Sequence, residues 1–156
     1  MTATAAPLLT VEALKKHFPL RRGFLRRVGS YVRAVDGVDL KIQAHQTLGL
    51  VGESGCGKST VARLILRLLD PDSGTIRFDG QEISALSERE FKPMRTRIQM
   101  IFQDPYSSLN PRMTVAQSIA DGVRMAGIKE KSDQQQRIKA LLDMVGMPAA
   151  SAGRYP

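Results

Sequence analysis

Gly52-Glu53-Ser54-Gly55-Cys56-Gly57-Lys58-Ser59-Thr60 matches the phosphate-loop pattern G-x-x-x-x-G-K-[ST] without a gap. Ahead of it Thr47-Leu48-Gly49-Leu50-Val51 is short and apolar, which predicts a buried parallel strand. Behind it Val61, Leu64, Ile65 and Leu68 recur at helical spacing. The expected context is therefore strand, glycine-rich turn, helix.

Each residue type has a physical task there. Gly52, Gly55 and Gly57 allow backbone conformations closed to other residues and let the main chain approach a ligand. The N–H groups of the loop, through Glu53, Ser54 and Cys56 to Lys58, then converge at the positive end of the next helix and suit a polyphosphate. Lys58 adds a charge able to reach the β- and γ-phosphates. Ser59 offers a hydroxyl to Mg²⁺, a hard cation that prefers oxygen, and Thr60 starts the helix. The loop predicts binding of a nucleoside triphosphate, with ATP and Mg²⁺ as the expected cofactors. Cys56, at a helix N-terminus, is expected to react with a maleimide and to be protected by MgATP.

The chain of 156 residues is long enough for one domain with a real core, and 42% hydrophobic with 24% charged residues reads as globular. Met1 to Thr10 lacks a basic region ahead of an apolar stretch, so no signal peptide is expected, and no apolar run approaches membrane-spanning length. A single cysteine allows no intrachain disulfide and suits a reducing cytosol. The net charge is +8, and Arg21, Arg22, Arg26, Arg27 and Arg33 concentrate much of it. Nucleic acid, anionic lipid, an acidic protein or plain solvation could each answer such a segment. No RNA-binding aromatic pattern or helix-turn-helix accompanies it, which speaks against nucleic acid. His17 and His45 read as surface or strand-end residues.

In chain order, Leu8 to Phe18 predicts a strand and Pro19 to Tyr31 a long basic hairpin loop. Val32 to Val35 and Val38 to Ile42 predict short strands joined at Asp36-Gly37. Asp70 to Gly74 reads as a turn, and Thr75 to Phe78 with Gln81 to Ile83 as a hairpin about Asp79-Gly80. Ser87 with Glu90 caps a short helix that Pro93 interrupts or ends, and Ile98 to Phe102 predicts a buried strand. Thr114 with Gln117 caps a helix faced by Val115, Ile119 and Val123. Ser132 with Gln135 caps the last, with Ile138, Leu141, Leu142 and Val145 as its stripe and Gly146 as its stop.

Hairpins ahead of a phosphate loop, with a second strand and helices after it, give a layout that resembles the ATP-binding cassette (ABC) family. Gly52 to Thr60 resembles its Walker A loop and Ile101-Phe102-Gln103-Asp104-Pro105 its Q-loop. Asp70 to Ile76 with Phe78-Asp79-Gly80 is similar to the connection between them. The arginine-rich insertion, Tyr106 to Val115 and the ending Gly153-Arg154-Tyr155-Pro156 resemble the second of the paired ATPase subunits of oligopeptide and dipeptide importers. The resemblance runs over residues of about 8 to 156. It implies an α/β fold: a P-loop NTPase of ABC type, a RecA-like core with an antiparallel β subdomain.

The implied parts are an antiparallel β region over 8–46 with a basic insertion at 19–33, the P-loop strand and helix over 47–70, a Q-loop region over 97–113 and the start of a helical subdomain over 114–156. By the same resemblance Phe18 takes the place of the aromatic that stacks on adenine, and Gln103 joins Ser59 at Mg²⁺ and orients the attacking water. Tyr106 to Arg112 faces the permease. The implied partners are a sister ATPase subunit in a head-to-tail dimer, two membrane-spanning permease subunits and, indirectly, a peptide-binding protein, with no nucleic acid. The implied place is the cytoplasmic face of the bacterial inner membrane, peripherally bound.

No apolar strand ending in Asp-Glu, no S-G-G-Q signature and no switch histidine stands in these residues. Leu68-Leu69-Asp70 and Leu141-Leu142-Asp143 belong to helices. The expectation is an incomplete domain, ending before the signature and Walker B, with an uncovered apolar face and no hydrolysis of its own. The alternatives are a truncated nucleotide-binding or docking module and a non-ABC P-loop kinase, against which Gln103 and the early hairpins speak.

Overall fold

The computed structural model describes residues 6–22, 27–104 and 108–156, with side chains left out at 21–22 and 27–29. The chain divides into two compact units, Met1–Arg95 and Thr96–Pro156. Part of the basic loop, Pro105 of the expected Q-loop, and Tyr106 and Ser107 of the expected permease-facing segment lie outside the described residues.

The first unit is built on an antiparallel sheet in the order β2-β1-β3-β4. β1 spans Leu9–Arg22, β2 Arg27–Ile42, β3 Ser73–Phe78 and β4 Gln81–Glu82. Alternation along β1 and β3 sends Leu9, Val11, Ile76 and Phe78 inward, where Leu14, Val35, Ile83 and Phe91 are also buried. The β3–β4 turn has positive φ at both Asp79 and Gly80, the primed geometry that matches strand twist. Ser84 Oγ accepts the Ile76 N–H, and the Ile83 N–H donates to the Ile76 carbonyl.

The long hairpin corrects three expectations. Its strands pair out to Arg22↔Arg27, so Pro19 to Tyr31 is largely ladder rather than loop. Asp36-Gly37 is no turn: β2 runs through it, and Gly37 (φ +80) is skipped between Leu14↔Val38 and Lys15↔Asp36. A left-handed glycine at such a slip is a bulge, which costs no strand reversal. The predicted turn over Asp70 to Gly74 becomes the entry of β3. Gly74 (φ +95) faces a second bulge in β1, where a Cβ would fall 2.6 Å from the Ala13 carbonyl oxygen and from Leu14 Cα. Asp39 Oδ1 accepts the Ala13 N–H of that bulge at 2.6 Å.

Helix α1 spans Lys58–Ile65 and buries Val61 and Leu64. It ends with Arg67 in the left-handed region, the Arg67 and Leu68 N–H groups bonding back to Leu64 and Arg63 carbonyls. Arg67 is held there by its guanidinium, which donates to the Ile83 and Ser84 carbonyls at 2.7 and 2.5 Å and to Asp70 at 2.9 Å. Helix α2, Glu88–Phe91, starts in the expected Ser87/Glu90 capping box and gives way to a 3₁₀ turn over Lys92–Thr96 at Pro93.

Two predicted strands are absent. Thr47–Val51 and Ile98–Phe102 form no ladder, and Val51 and Ile101 are 95% and 96% exposed. A parallel strand needs neighbours to satisfy its N–H and C=O groups. Among the described residues neither segment has such a neighbour.

In the second unit, helix α3 (Val115–Met125) opens in the predicted Thr114/Gln117 capping box. Helix α4 (Lys131–Met144) is preceded by Glu130 at the N-cap, with no side-chain cap; Ser132 Oγ turns instead to Asp133, so the predicted Ser132 box is corrected. Val123, Ile138 and Leu142 form the core between them, with Ile119, Leu141 and Ala152 against it. Val145 leaves the predicted stripe and is exposed, because the helix has already ended there. Gly146 (φ +71) stops α4 as expected, its N–H donating to Asp143 and that of Met147 to Leu142.

Candidate functional site: the loop ahead of α1

Gly52 to Gly57 lead from an exposed segment into α1, with Gly55 (φ +85) and Gly57 (φ +98) in backbone that L side chains rarely adopt. Gly57 is the N-cap, and no side chain caps the helix, so its first N–H groups face the concavity of the loop. The Cys56 N–H closes the turn onto the Glu53 carbonyl at 3.3 Å.

Lys58 occupies the middle of this arrangement. Its ammonium donates to the Gly52 carbonyl at 2.8 Å and the Glu53 carbonyl at 2.6 Å, and lies 3.4 Å from Cys56 Sγ. A cation held by weak neutral acceptors at the mouth of a ring of N–H donors favours anions. Space fits as well: nothing stands within 4 Å of a Cβ added at Gly55, so an approaching ligand meets bare backbone there. Ser59 is exposed and Thr60 half-buried, at the first turn of α1. The donor set is N–H groups, an ammonium and hydroxyls. It fits a polyphosphate with its divalent cation.

Why the loop sits where it does was not visible in the motif. A Cβ on Gly57 would fall 2.1 Å from the Ala34 carbonyl oxygen, so the two backbones are in close apposition. Ala34 is itself the extra residue of a bulge, skipped between Lys16↔Val35 and His17↔Arg33. The slip turns its carbonyl out of the ladder toward Gly57. Sequence reading passed over Ala34. Its only signal is the Asp36-Gly37 pair that follows, which marks irregular backbone nearby.

Charged groups hold the slipped register. His17 Nε2 lies 3.1 Å from Asp36 Oδ1, and Arg33 reaches the other oxygen at 3.5 Å. The His17 hydrogen bond holds the Asp36 carboxyl below the usual range. Across the sheet, Asp72 accepts the His17 backbone N–H at 2.6 Å and the Lys16 ammonium at 2.8 Å, and its carboxyl is lowered for those reasons in that order. His17 is thus a working member of the hairpin rather than an idle surface residue.

Phe18 follows at once. Its register partner is Val32, the second pair outward from the Ala34 bulge, and it is half exposed with the Lys16 ammonium 5.8 Å from its ring centre. The register therefore places it on the same hairpin that backs Gly57. Gln103 belongs to the other unit, in an exposed bend; beyond it Ser108 Oγ donates to the Asp104 carbonyl and Asn110 turns back to the Arg112 N–H. Among the described residues no group of three or more His, Cys, Asp or Glu stands together to hold a metal, and no helix is long and apolar enough to cross a membrane.

The family model described as "ABC transporter" matches residues 35–155. A probable peptide ABC transporter ATP-binding protein of Sinorhizobium fredii is 47% identical over 149 residues, 96% of this chain and 42% of that protein. The oligopeptide transport ATP-binding protein AppF of Bacillus subtilis is 43% identical, over 99% of this chain and 47% of that protein. The chain thus spans less than half the length of these relatives. Among solved structures, the ATP-binding cassette MJ0796, described as dimeric in a post-hydrolysis state with ADP and Pi, is similar in fold with a TM-score of 0.77 at 21% identity. It covers 95% of this chain and 61% of that one.

Proposed function

The chain belongs to the ABC transporter family, and on that premise we propose that it is the nucleotide-binding part of an ATPase subunit of a peptide importer. The observation that carries the reading is Lys58 at the centre of the Gly52–Gly57 loop, ahead of an uncapped helix start. The peptide relatives support the substrate class, oligopeptides or dipeptides.

In this reading the N–H groups from Glu53 to Lys58 take the phosphates of ATP, and Lys58 exchanges its two carbonyls for phosphate oxygens. Ser59 and Gln103 would hold Mg²⁺, which would supply positive charge against the phosphates. Phe18 offers its ring to adenine. The complete subunit closes head-to-tail on a sister subunit and works against two permease subunits at the cytoplasmic face of the inner membrane, fed by a peptide-binding protein. The acidic residue that polarises the attacking water is not among these 156 residues, so this chain alone binds ATP without turning it over.

Calorimetric titration of the chain with MgATP tests this. Lys58→Ala removes two charge-assisted contacts and should weaken binding by about 100-fold or more. Maleimide labelling of Cys56 should be slowed by MgATP. Labelling indifferent to MgATP, or affinity unmoved in Lys58→Ala, defeats the site. Steady phosphate release by the chain alone defeats the division of labour.

A further inference from the structure

The Ala34 bulge stands where the sheet loses its third strand. β3 pairs with β1 only as far as Lys15↔Ser73, and from Lys16 to Arg22 β1 has β2 as its sole partner among the described residues. The hairpin thus continues as a two-stranded ribbon. Its first register slip, between Lys16↔Val35 and His17↔Arg33, is the one that leaves Ala34 unpaired. Two strands alone specify a register weakly. This slip has to be definite all the same, because Gly57 is set against the Ala34 carbonyl with no room for a Cβ between them.

His17 closes over the slip from both sides. Its backbone N–H donates to Asp72 Oδ2 at 2.6 Å, just ahead of β3, and its ring Nε2 lies 3.1 Å from Asp36 Oδ1. Asp36 stands opposite Lys15, before the slip, and Arg33 stands opposite His17, after it. Arg33 reaches Asp36 Oδ2 at 3.5 Å. In a regular strand, residues three apart are separated by about 10 Å and point to opposite faces. Arg33 can meet Asp36 because the chain is bulged between them. The Asp36 carboxylate is therefore shared by groups from both sides of Ala34, and straightening the bulge would part them.

We infer that His17 and Asp36 form a clip that fixes where the phosphate loop stands, which makes His17 a positioning residue for nucleotide binding. The path is short: ring to carboxylate, carboxylate across the bulge, Ala34 carbonyl to Gly57, and Gly57 to the helix start and Lys58. Both clip side chains reach solvent, so the pair adds little to global stability and acts on the position of the loop. The consequence for nucleotide rests on the loop's role as a nucleotide site; the clip itself rests on the geometry alone.

Hydrogen exchange of the nucleotide-free chain and calorimetric titration with MgATP test it together. His17→Leu should speed exchange over residues 52–61 about tenfold, leave β3 unchanged and weaken MgATP binding about tenfold. His17→Gln, whose amide can donate to Asp36 from nearly the place of Nε2, should stay within about twofold of the parent in both. His17→Leu combined with Asp36→Ala should lose no more than the single changes, since either one opens the clip. Should His17→Leu also open β3, the isosteric Asp36→Asn decides in its place, with about threefold expected in both readouts. Unchanged loop exchange and affinity in the deciding variant overturn the inference. So does a loss in His17→Gln equal to that in His17→Leu, and so do additive losses in the double variant. A parent chain that does not bind MgATP defeats the nucleotide reading instead, and loop exchange then decides the clip by itself.

Discussion

The β1–β2 hairpin and the Thr47–Val51 segment are both apolar enough to predict strands, yet only one becomes a strand. The hairpin pairs with residues a short loop away and satisfies its backbone within itself. Thr47–Val51 precedes a helix and has no adjacent strand among the described residues. Ile98–Phe102 behaves in the same way in the other unit. Apolar character states what a segment gains by burial; a ladder partner decides whether it is buried. The phosphate loop keeps its shape even though the segment before it is no strand. Its anchor is the Ala34 bulge on one side and α1 on the other.

That anchor gives the largest expected effect. Gly57→Ala puts a Cβ 2.1 Å from the backbone carbonyl of the Ala34 bulge at φ +98 and should destabilise the first unit by about 3 kcal/mol, with loss of MgATP binding. Gly55→Ala, also left-handed but facing open space, should cost about 1 kcal/mol. Urea midpoints of the two variants compare them directly. Equal costs would mean that the loop does not lean on the hairpin.

The contrast between ladder and unpaired segment can be tested next. Val11 is fully buried in β1, and Val11→Ala should cost about 2–3 kcal/mol. Leu50→Ala, in the exposed segment, should cost under about 0.5 kcal/mol in this chain. A large loss at Leu50 would show that Thr47–Val51 is packed after all.

What could be read in advance follows the same line. The capping boxes at Ser87 and Thr114, the Asp79-Gly80 turn and the Gly146 stop were legible because their causes lie within four residues. The nine-residue loop was legible for the same reason. Ala34 was not, since its role depends on a register slip opposite Lys16 and on Gly57, far along the chain. Nor was the Asp36-Gly37 bulge, whose two residues spell a turn as readily as a slip. The Ser132 box failed more simply, because the helix begins two residues earlier, with Glu130 as its N-cap. Thr114→Ala should accordingly cost about 1 kcal/mol in the second unit, and Ser132→Ala close to nothing. Hydrogen exchange over α3 and α4 separates the two.

The smallest effect concerns how the hairpin is tied to the sheet. Asp72 closes the end of β3 on Lys16 and the His17 N–H, and its carboxyl is lowered by the backbone bond first and the ammonium second. A group lowered on folding contributes above its unfolded value, near pH 3.9, and that contribution fades as pH falls through the lower folded value. The chain should therefore lose part of its stability on acidification below about pH 4. Asp72→Asn, which keeps an acceptor but no charge, should flatten that acid limb while leaving its slope near pH 7 unchanged. The group is solvent-facing, so the change should shrink in high salt. An acid limb identical in both proteins would place the tie in the backbone pairing alone, and the ribbon would then owe its register to the bulges rather than to its carboxylates.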